Sequence, residues 1–303
     1  MALKIDFSKV CRGVRCVVAI GYDVDMPGDL EYLYNREIGW TGGCHGHLNE
    51  DVLDYIRMLV EVAEDYGVKL QFFIQGNTFE DPVEPWIEIV NKGHAVDQHT
   101  YSHISLLDTP LDEIKLEIVK TKRLIEDRLK TENIGLRGPG GYLYGLKDRE
   151  NVQRIILEAG IKFVSTQNVY FPPGEHPLFT PATDKRSIEI IAHIQPYYYN
   201  TGLLEIPFCC YQDRQYFDID MGGDPRRPVE EWVKYLKQAI DFVYNHGLLL
   251  SLTLHPSTSF KHDPEGKHIK EILSYCQQKP GTLVCTYRDI YQLVNSEGTR
   301  RDL

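Results

Sequence analysis

A chain of 303 residues, 42% apolar and 25% charged, has the makeup of an ordinary globular protein and is long enough for one large α/β unit. No run approaches the roughly 20 apolar residues that a membrane span requires, and the net charge of −11 comes without a Lys/Arg-rich stripe, so neither a membrane nor a nucleic acid is an expected partner. The cysteines at positions 11, 16, 44, 209, 210, 276 and 285 form no C-x-x-C pair and read as buried thiols of a reducing compartment; with a Met1 to Lys9 stretch that lacks the layout of a secretion signal, the expected location is cytoplasmic.

In chain order, Val14–Asp25 reads as a buried strand, and 49–66 as a helix with Asn49 as its N-cap and Gly67 as its stop. Val68–Gln75 is a second strand, Val83–Asn91 a second helix, and Gly93–Asp97 leads into a third strand that ends near His99. A helix over 111–130, a strand at Ile134–Arg137, a helix over 147–159 and a strand at Lys162–Thr166 follow. The stretch 170–184 is rich in Pro and Gly, after which two strands, Ile188–Gln195 and Leu203–Pro207, come without a helix between them. Regular alternation returns with a helix over Val229–His246, a strand at Leu248–Leu254 running into His255, and a last helix, strand and short helix between Lys267 and Val294. This is the pattern of βα units around a parallel sheet, with no repeat or interdomain linker.

The unusual polar residues fall at the C-terminal ends of these strands: Asp23 and Asp25, His99 and His103, Arg137, and His255. In a barrel of parallel strands those ends converge on one face, where active sites form. His99-Thr-Tyr-Ser-His103 spaces two imidazoles so that a helical turn would aim both to one side, a metal-ligand arrangement with Asp25 as the third ligand; an exposed surface pair is the plain alternative. In Asp23-Val-Asp25, strand alternation sends both carboxylates to the same face. Two like charges there call for a division of labour, with Asp25 on the metal and Asp23 as general base; loop acids or a helix N-cap are the alternative. His255, at the end of Leu-Thr-Leu before a strand-stopping proline, reads as general acid or as a histidine simply hydrogen-bonded at a strand end. Arg137 either pairs with Asp23 and keeps it ionised or is an ordinary surface arginine.

Together these residues resemble the polysaccharide deacetylase, or NodB-homology, family (carbohydrate esterase family four). Its motifs, an acidic pair after the first strand, H-[ST]-x-x-H, an R-x-P loop and a late L-H, stand here in order as Asp23-Val-Asp25, His99-Thr-Tyr-Ser-His103, Arg137-Gly-Pro139 and Leu254-His255. The similarity spans about residues 14 to 295 and implies a distorted (β/α) barrel forming a single catalytic domain over 1–303. The acidic pair with Val24 between its members, and Leu204-Glu-Ile-Pro207 later, are closer to a cytoplasmic branch of peptidoglycan deacetylase-like and allantoinase-like hydrolases. The family's aromatic R-P-P-Y loop is replaced by Arg137-Gly-Pro139-Gly140, and its Trp and Asp motif has no match, which leaves the residue that orients His255 unassigned.

The expected reaction is amide hydrolysis at one divalent metal, zinc foremost, with Asp23, His255 and Arg137 as the catalytic set and Asp25, His99 and His103 as ligands. A backbone N–H near Gly140 is expected to stabilise the oxyanion, with Trp40 and Tyr142 as further substrate contacts. The substrate is an N-acylated sugar or, alternatively, a cyclic or other small amide; a binding protein without catalysis is the third reading. The long segment Pro27–His47 is expected to be a lid or a subunit contact, and a homo-oligomer is a family-based expectation.

Overall fold

The computed structural model describes residues 13–40, 42–168, 181–209 and 212–295. The first strand, β1 (Cys16–Val24), is buried along its whole length. Its even-numbered side chains, Val18, Ile20, Tyr22 and Val24, join the large core beneath the helices, whereas Val17 and Ala19 join the smaller core inside the curled sheet. A strand covered on both faces reads as a continuous apolar run, as this one does.

A short strand β2 (Met26–Pro27) is followed by α1 (Glu31–Tyr34) and β3 (Cys44–His45), the latter pairing antiparallel with β2. Then come α2 (Glu50–Asp65), β4 (Gln71–Ile74), α3 (Glu84–Asn91), β5 (Ala95–Gln98), α4 (Leu111–Leu129), β6 (Gly135–Tyr142), α5 (Glu150–Glu158) and β7 (Phe163–Gln167). The Asn49 side chain accepts the Val52 N–H, so the predicted N-cap of α2 stands. Next are α6 (Pro181–Glu189), β8 (Tyr197–Tyr198), β9 (Leu204–Glu205), α7 (Asp213–Phe217), α8 (Val229–His246), β10 (Leu249–Leu254), α9 (Pro256–His262), α10 (Lys267–Gln277), β11 (Thr282–Cys285) and α11 (Tyr287–Asn295).

The strands run in the order β10-β1-β4-β5-β6-β7-β9-β8, parallel except for the last pair, as a strongly curled half-barrel. β10 lines one edge of β1 over residues 17–22; the opposite edge is shared by β11, against 16–19, and β4, against 21–24. The helices seal the outer face. On α8, Trp232, Leu236, Ala239, Ile240 and Val243 are buried at helical spacing, each large side chain contributing about 1.5–3 kcal/mol of transfer free energy. No helix among the described residues is long and apolar enough to cross a membrane.

Three sequence expectations are corrected. Ile188–Gln195 is not a strand: α6 continues into a 3-10 turn at Ile190–His193, the β-branched run packing as helix because its Ile188 and Ile191 face the main core. The strand predicted at Ile134–Arg137 runs on to Tyr142, its pairing with β7 shifting between Arg137 and Tyr142 as the glycine-rich loop passes. Leu203–Pro207 keeps only Leu204–Glu205 as strand. Most of the Pro/Gly-rich stretch 170–184, with Cys11 and Cys210, lies outside the described residues. Cys16, Cys209, Cys276 and Cys285 are buried as expected, whereas Cys44 is partly exposed.

Candidate functional site

Strand alternation carries the inner face of β1 through Val17, Ala19 and Gly21 to Asp23 and, one step past the strand, Asp25. Both carboxylates are buried, 4% and 6% exposed. Gly21 is where the chain needs a missing side chain: a Cβ there would lie 3.0 Å from Arg137 Nη2 and 3.0 Å from the Tyr287 ring. The Arg137 guanidinium therefore occupies the space above Gly21 and reaches Asp23, its Nε 3.1 Å from Oδ1. It also donates to Ser165 Oγ at 2.7 Å and lies over the rings of Phe73, Phe208 and Tyr287. Arg137 is fully buried and is the partner of Asp23 that the sequence offered as one of two readings. Burial lifts the Asp23 carboxyl to about 6, Arg137 and His255 only partly offsetting the rise. For Asp25, burial pushes upward too, but His255, His103 and His99 prevail and its pKa is lowered.

His99 and His103 come together without the expected helical turn. Thr100 and His103 both take left-handed backbone conformations, φ 57° and 62°, and the loop is held from outside. The Glu117 carboxylate on α4 accepts the N–H groups of Tyr101 and Ser102 at 2.8 and 2.7 Å and the Ser102 hydroxyl at 2.9 Å. The backbone N–H groups of Gly76 and Asn77 donate to Thr100 O and Tyr101 O. The two imidazoles meet edge to face with centroids 4.8 Å apart. His99 Nδ1 donates to Arg137 O at 2.9 Å, which leaves Nε2 as the free lone pair. Burial holds both rings down to about 4, so both are neutral and able to ligate at neutral pH.

His103 Nε2 lies 3.5 Å from Asp25 Oδ2, and Cys44 Sγ lies 3.4 Å from the same oxygen. Among the described residues, the ligand atoms of Asp25, Cys44 and His103 all lie within 4.8 Å of one another. The chemistry of these donors, a carboxylate, a neutral imidazole and a thiol, fits a divalent first-row metal. Cys44 in this set was not foreseen; a lone cysteine in a two-residue strand gives no local pattern to find it by.

His255, just past the end of β10, is buried, 7% exposed. Its Nδ1 donates to Asp213 Oδ1 at 2.8 Å, its backbone N–H donates to Asp213 Oδ2 at 2.7 Å, and Ser259 Oγ donates to Oδ2 at 2.8 Å. Asp213 is thus the orienting residue that the sequence left unassigned. Burial alone would lower the imidazole, but Asp213, with Asp25 and Asp23 behind it, raises it to about 9.

Pro27, Tyr32, Trp40 and Cys44, all from the segment Pro27–His47, border Asp25. The Trp40 ring lies under the Arg214 guanidinium at 4.0 Å, the Trp40 backbone N–H donates to Asp220 Oδ1, and Lys261 Nζ donates to Ile38 O at 2.7 Å. With Asp25, Pro27, Tyr32, Cys44, Arg214, Ser257 and Thr258, Trp40 lines a narrow cleft of about 10 Å³. Gly140 is exposed on the β6 loop with φ 79°. Tyr142 is buried, and its hydroxyl accepts the Leu106 N–H at 2.8 Å, which braces the loop after His103.

Residues 50–164 match the family model described as polysaccharide deacetylase. A peptidoglycan-N-acetylglucosamine deacetylase from Bacillus cereus is 30% identical over 73 residues, which are 24% of this chain and 26% of that protein, so the aligned stretch spans about a quarter of the relative's length. The crystal structure of a protein assigned as a polysaccharide deacetylase from Mycobacterium smegmatis superposes with a TM-score of 0.68 at 19% identity, over 92% of this chain and 90% of that one. The crystal structure of PuuE allantoinase superposes with a TM-score of 0.69 at 15% identity, over 96% and 94%.

Proposed function

We propose that this chain, whose residues 50–164 match the polysaccharide deacetylase family model, is a metal-dependent hydrolase of carbon–nitrogen amide bonds that removes the acyl group of an N-acylated sugar. The observation that carries the reading is a pair of buried proton-handling groups, each with its own charged partner: Asp23 beside Arg137, and His255 beside Asp213. Their environments push them in useful directions, Asp23 to about 6 and His255 to about 9, so at neutral pH one is a base and the other an acid.

Asp25 and His103, with His99 beside them, would hold the metal; when bound, it would polarise the substrate carbonyl and acidify water. Asp23 takes the proton of the attacking water while Arg137 keeps the resulting acid and base states in balance. His255 gives its Nε2 proton to the departing nitrogen, and the Asp213 carboxylate keeps the imidazole in the tautomer and orientation that this requires. The exposed Gly140 backbone stands near Arg137 as the expected donor to the developing oxyanion.

A second reading, hydrolysis of a cyclic or other small amide, is favoured by one observation: the cleft lined by Trp40, Asp25 and Cys44 has a volume of only about 10 Å³, far below that of a pocket for a polymer chain. The experiment compares metal content, acetate release from N-acetylated sugars and ring opening of cyclic amides for the wild type and His103→Ala. One assay responding in the wild type, with metal and turnover lost together in the variant, supports the reading and selects its branch. Turnover that survives complete loss of metal overturns it.

A further inference from the structure

We propose that Cys44 binds the metal as a thiolate, beside Asp25 and His103. This rests on the reading of the site as a metal centre and extends its ligand set to a residue that no motif contains.

Donors bonded to one tetrahedral ion at about 2.0–2.3 Å sit roughly 3.5 Å from each other. The two measured edges that meet at Asp25 Oδ2 are 3.5 Å to His103 Nε2 and 3.4 Å to Cys44 Sγ. Two of the three edges thus stand at the spacing that a shared ion requires and the third lies within 4.8 Å, with the donors drawn from three separate parts of the chain.

The backbone also holds Cys44 in place. Cys44 pairs with Pro27 and His45 with Met26 in the antiparallel hairpin that begins directly after Asp25. A Cβ on Gly28 would lie 2.9 Å from Gly43 O, and one on Gly42 would lie 3.1 Å from Gly28 Cα, so these two backbone segments approach more closely than side chains allow. The thiol is therefore carried on the paired end of the Pro27–His47 segment, against the residue it faces. Cys16, Cys209, Cys276 and Cys285 are packed in the core, whereas Cys44 opens on the cleft.

On binding, the Sγ–H bond breaks, its proton leaves to solvent, and the sulfur lone pair forms the bond to the metal; no oxidant or reductant takes part. A thiolate in the set directs selection toward zinc, cobalt or ferrous iron and away from magnesium and calcium, which take oxygen ligands.

The test loads the full chain with Co²⁺, as wild type, Cys44→Ser and Cys44→Asp. The wild type is expected to show a near-ultraviolet sulfur-to-cobalt charge-transfer band that both variants lose. Cys44→Ser should weaken metal binding by more than the roughly 10–100-fold typical of losing an outer hydrogen-bond partner, while Cys44→Asp, with an anionic oxygen in place of sulfur, should retain the ion. X-ray absorption of the zinc-loaded wild type, which needs no variant, should contain one sulfur at about 2.3 Å. Stoichiometric metal without sulfur in its shell, or a band that survives in Cys44→Ser, overturns the assignment of Cys44 and leaves the hydrolase reading standing. A wild type that binds neither Co²⁺ nor Zn²⁺ overturns both.

Discussion

His255 Nδ1 lies 2.8 Å from Asp213 Oδ1, and the other oxygen of the same carboxylate accepts the His255 backbone N–H at 2.7 Å. One aspartate therefore fixes both the position and the charge of the imidazole. Replacing it with Asn removes the charge and keeps the shape, so the imidazolium loses the partner that outweighs its burial. The alkaline limb of the kcat/KM profile, set by His255 at about 9 in the wild type, should move down by more than one pH unit, and kcat should fall by about 10²-fold or more. Because the folded pKa lies above the ordinary 6.5, the pair's contribution to stability is present in full below about 6.5 and is lost as pH rises through about 9. Asp213→Asn should flatten that alkaline loss in urea denaturation measured across the range; an unmoved limb would remove Asp213 from its positioning role.

Arg137 and Asp23 set the acidic limb. Asp23 must be ionised to act as base, so activity should decline as pH falls through about 6. In Arg137→Met the buried carboxylate loses its counter-charge, its pKa climbs further, and the limb should move to higher pH. Removing one partner of a buried pair typically costs about 3–5 kcal/mol, so the variant should also denature at distinctly lower urea. Unchanged stability would place Arg137 outside the buried pair.

Metal binding and proton transfer should separate by mutation. His103→Ala removes a donor 3.5 Å from Asp25 and should abolish metal binding and turnover together. His255→Ala should bind metal as the wild type does and lose about 10²–10⁴-fold in kcat. Metal content of the two purified variants decides the matter; loss of the ion from His255→Ala would move that residue into the ligand set.

Glu117 tests whether the histidine loop is held from α4. Glu117→Ala leaves the Tyr101 and Ser102 N–H groups without their acceptor. The backbone at Thr100 and His103 is already in the left-handed region, and without the carboxylate nothing of equal strength opposes its relaxation. Metal affinity should fall about 10–100-fold, as for other residues that orient a ligand, and Glu117→Gln, which keeps one acceptor oxygen, should recover part of it. Competition with a coloured chelator gives the affinities.

Much of the site was legible because strand alternation is local. The apolar run of β1 announced its own end, and period two put Asp23 and Asp25 on the inner face with Val17 and Ala19. The convergence of His99, Arg137 and His255 followed from parallel strands sharing one C-terminal rim. What was illegible depends on partners far apart in sequence. Asp213 meets His255 across 42 positions and Glu117 meets Ser102 across 15, and neither acid carries a local pattern. Helix α9, Pro256–His262, escaped because its buried residues include Ser257, Thr258, Ser259, Lys261 and His262, so no apolar period marks it.

Gly21 links the fold to the chemistry in a way a single methyl group can probe. It lies on β1 between Leu252 of β10 and the Arg137 guanidinium, and a Cβ would press on Arg137 Nη2 and Tyr287 at 3.0 Å each and on Leu252 O at 3.3 Å. Neither neighbour can swing away freely: Arg137 is pinned by Ser165 and Asp23, and the Tyr287 hydroxyl donates to Leu252 O. Gly21→Ala should therefore cost about 1–3 kcal/mol through overpacking, despite the general preference of strands for residues larger than glycine. The displaced guanidinium should also loosen its hold on Asp23, so the acidic limb moves toward higher pH in the same direction as in Arg137→Met, by a smaller amount. Metal content should stay at the wild-type level, since Asp25 and His103 do not touch the new methyl group. A variant that is destabilised with an unshifted acidic limb would show that the space above Gly21 serves packing alone.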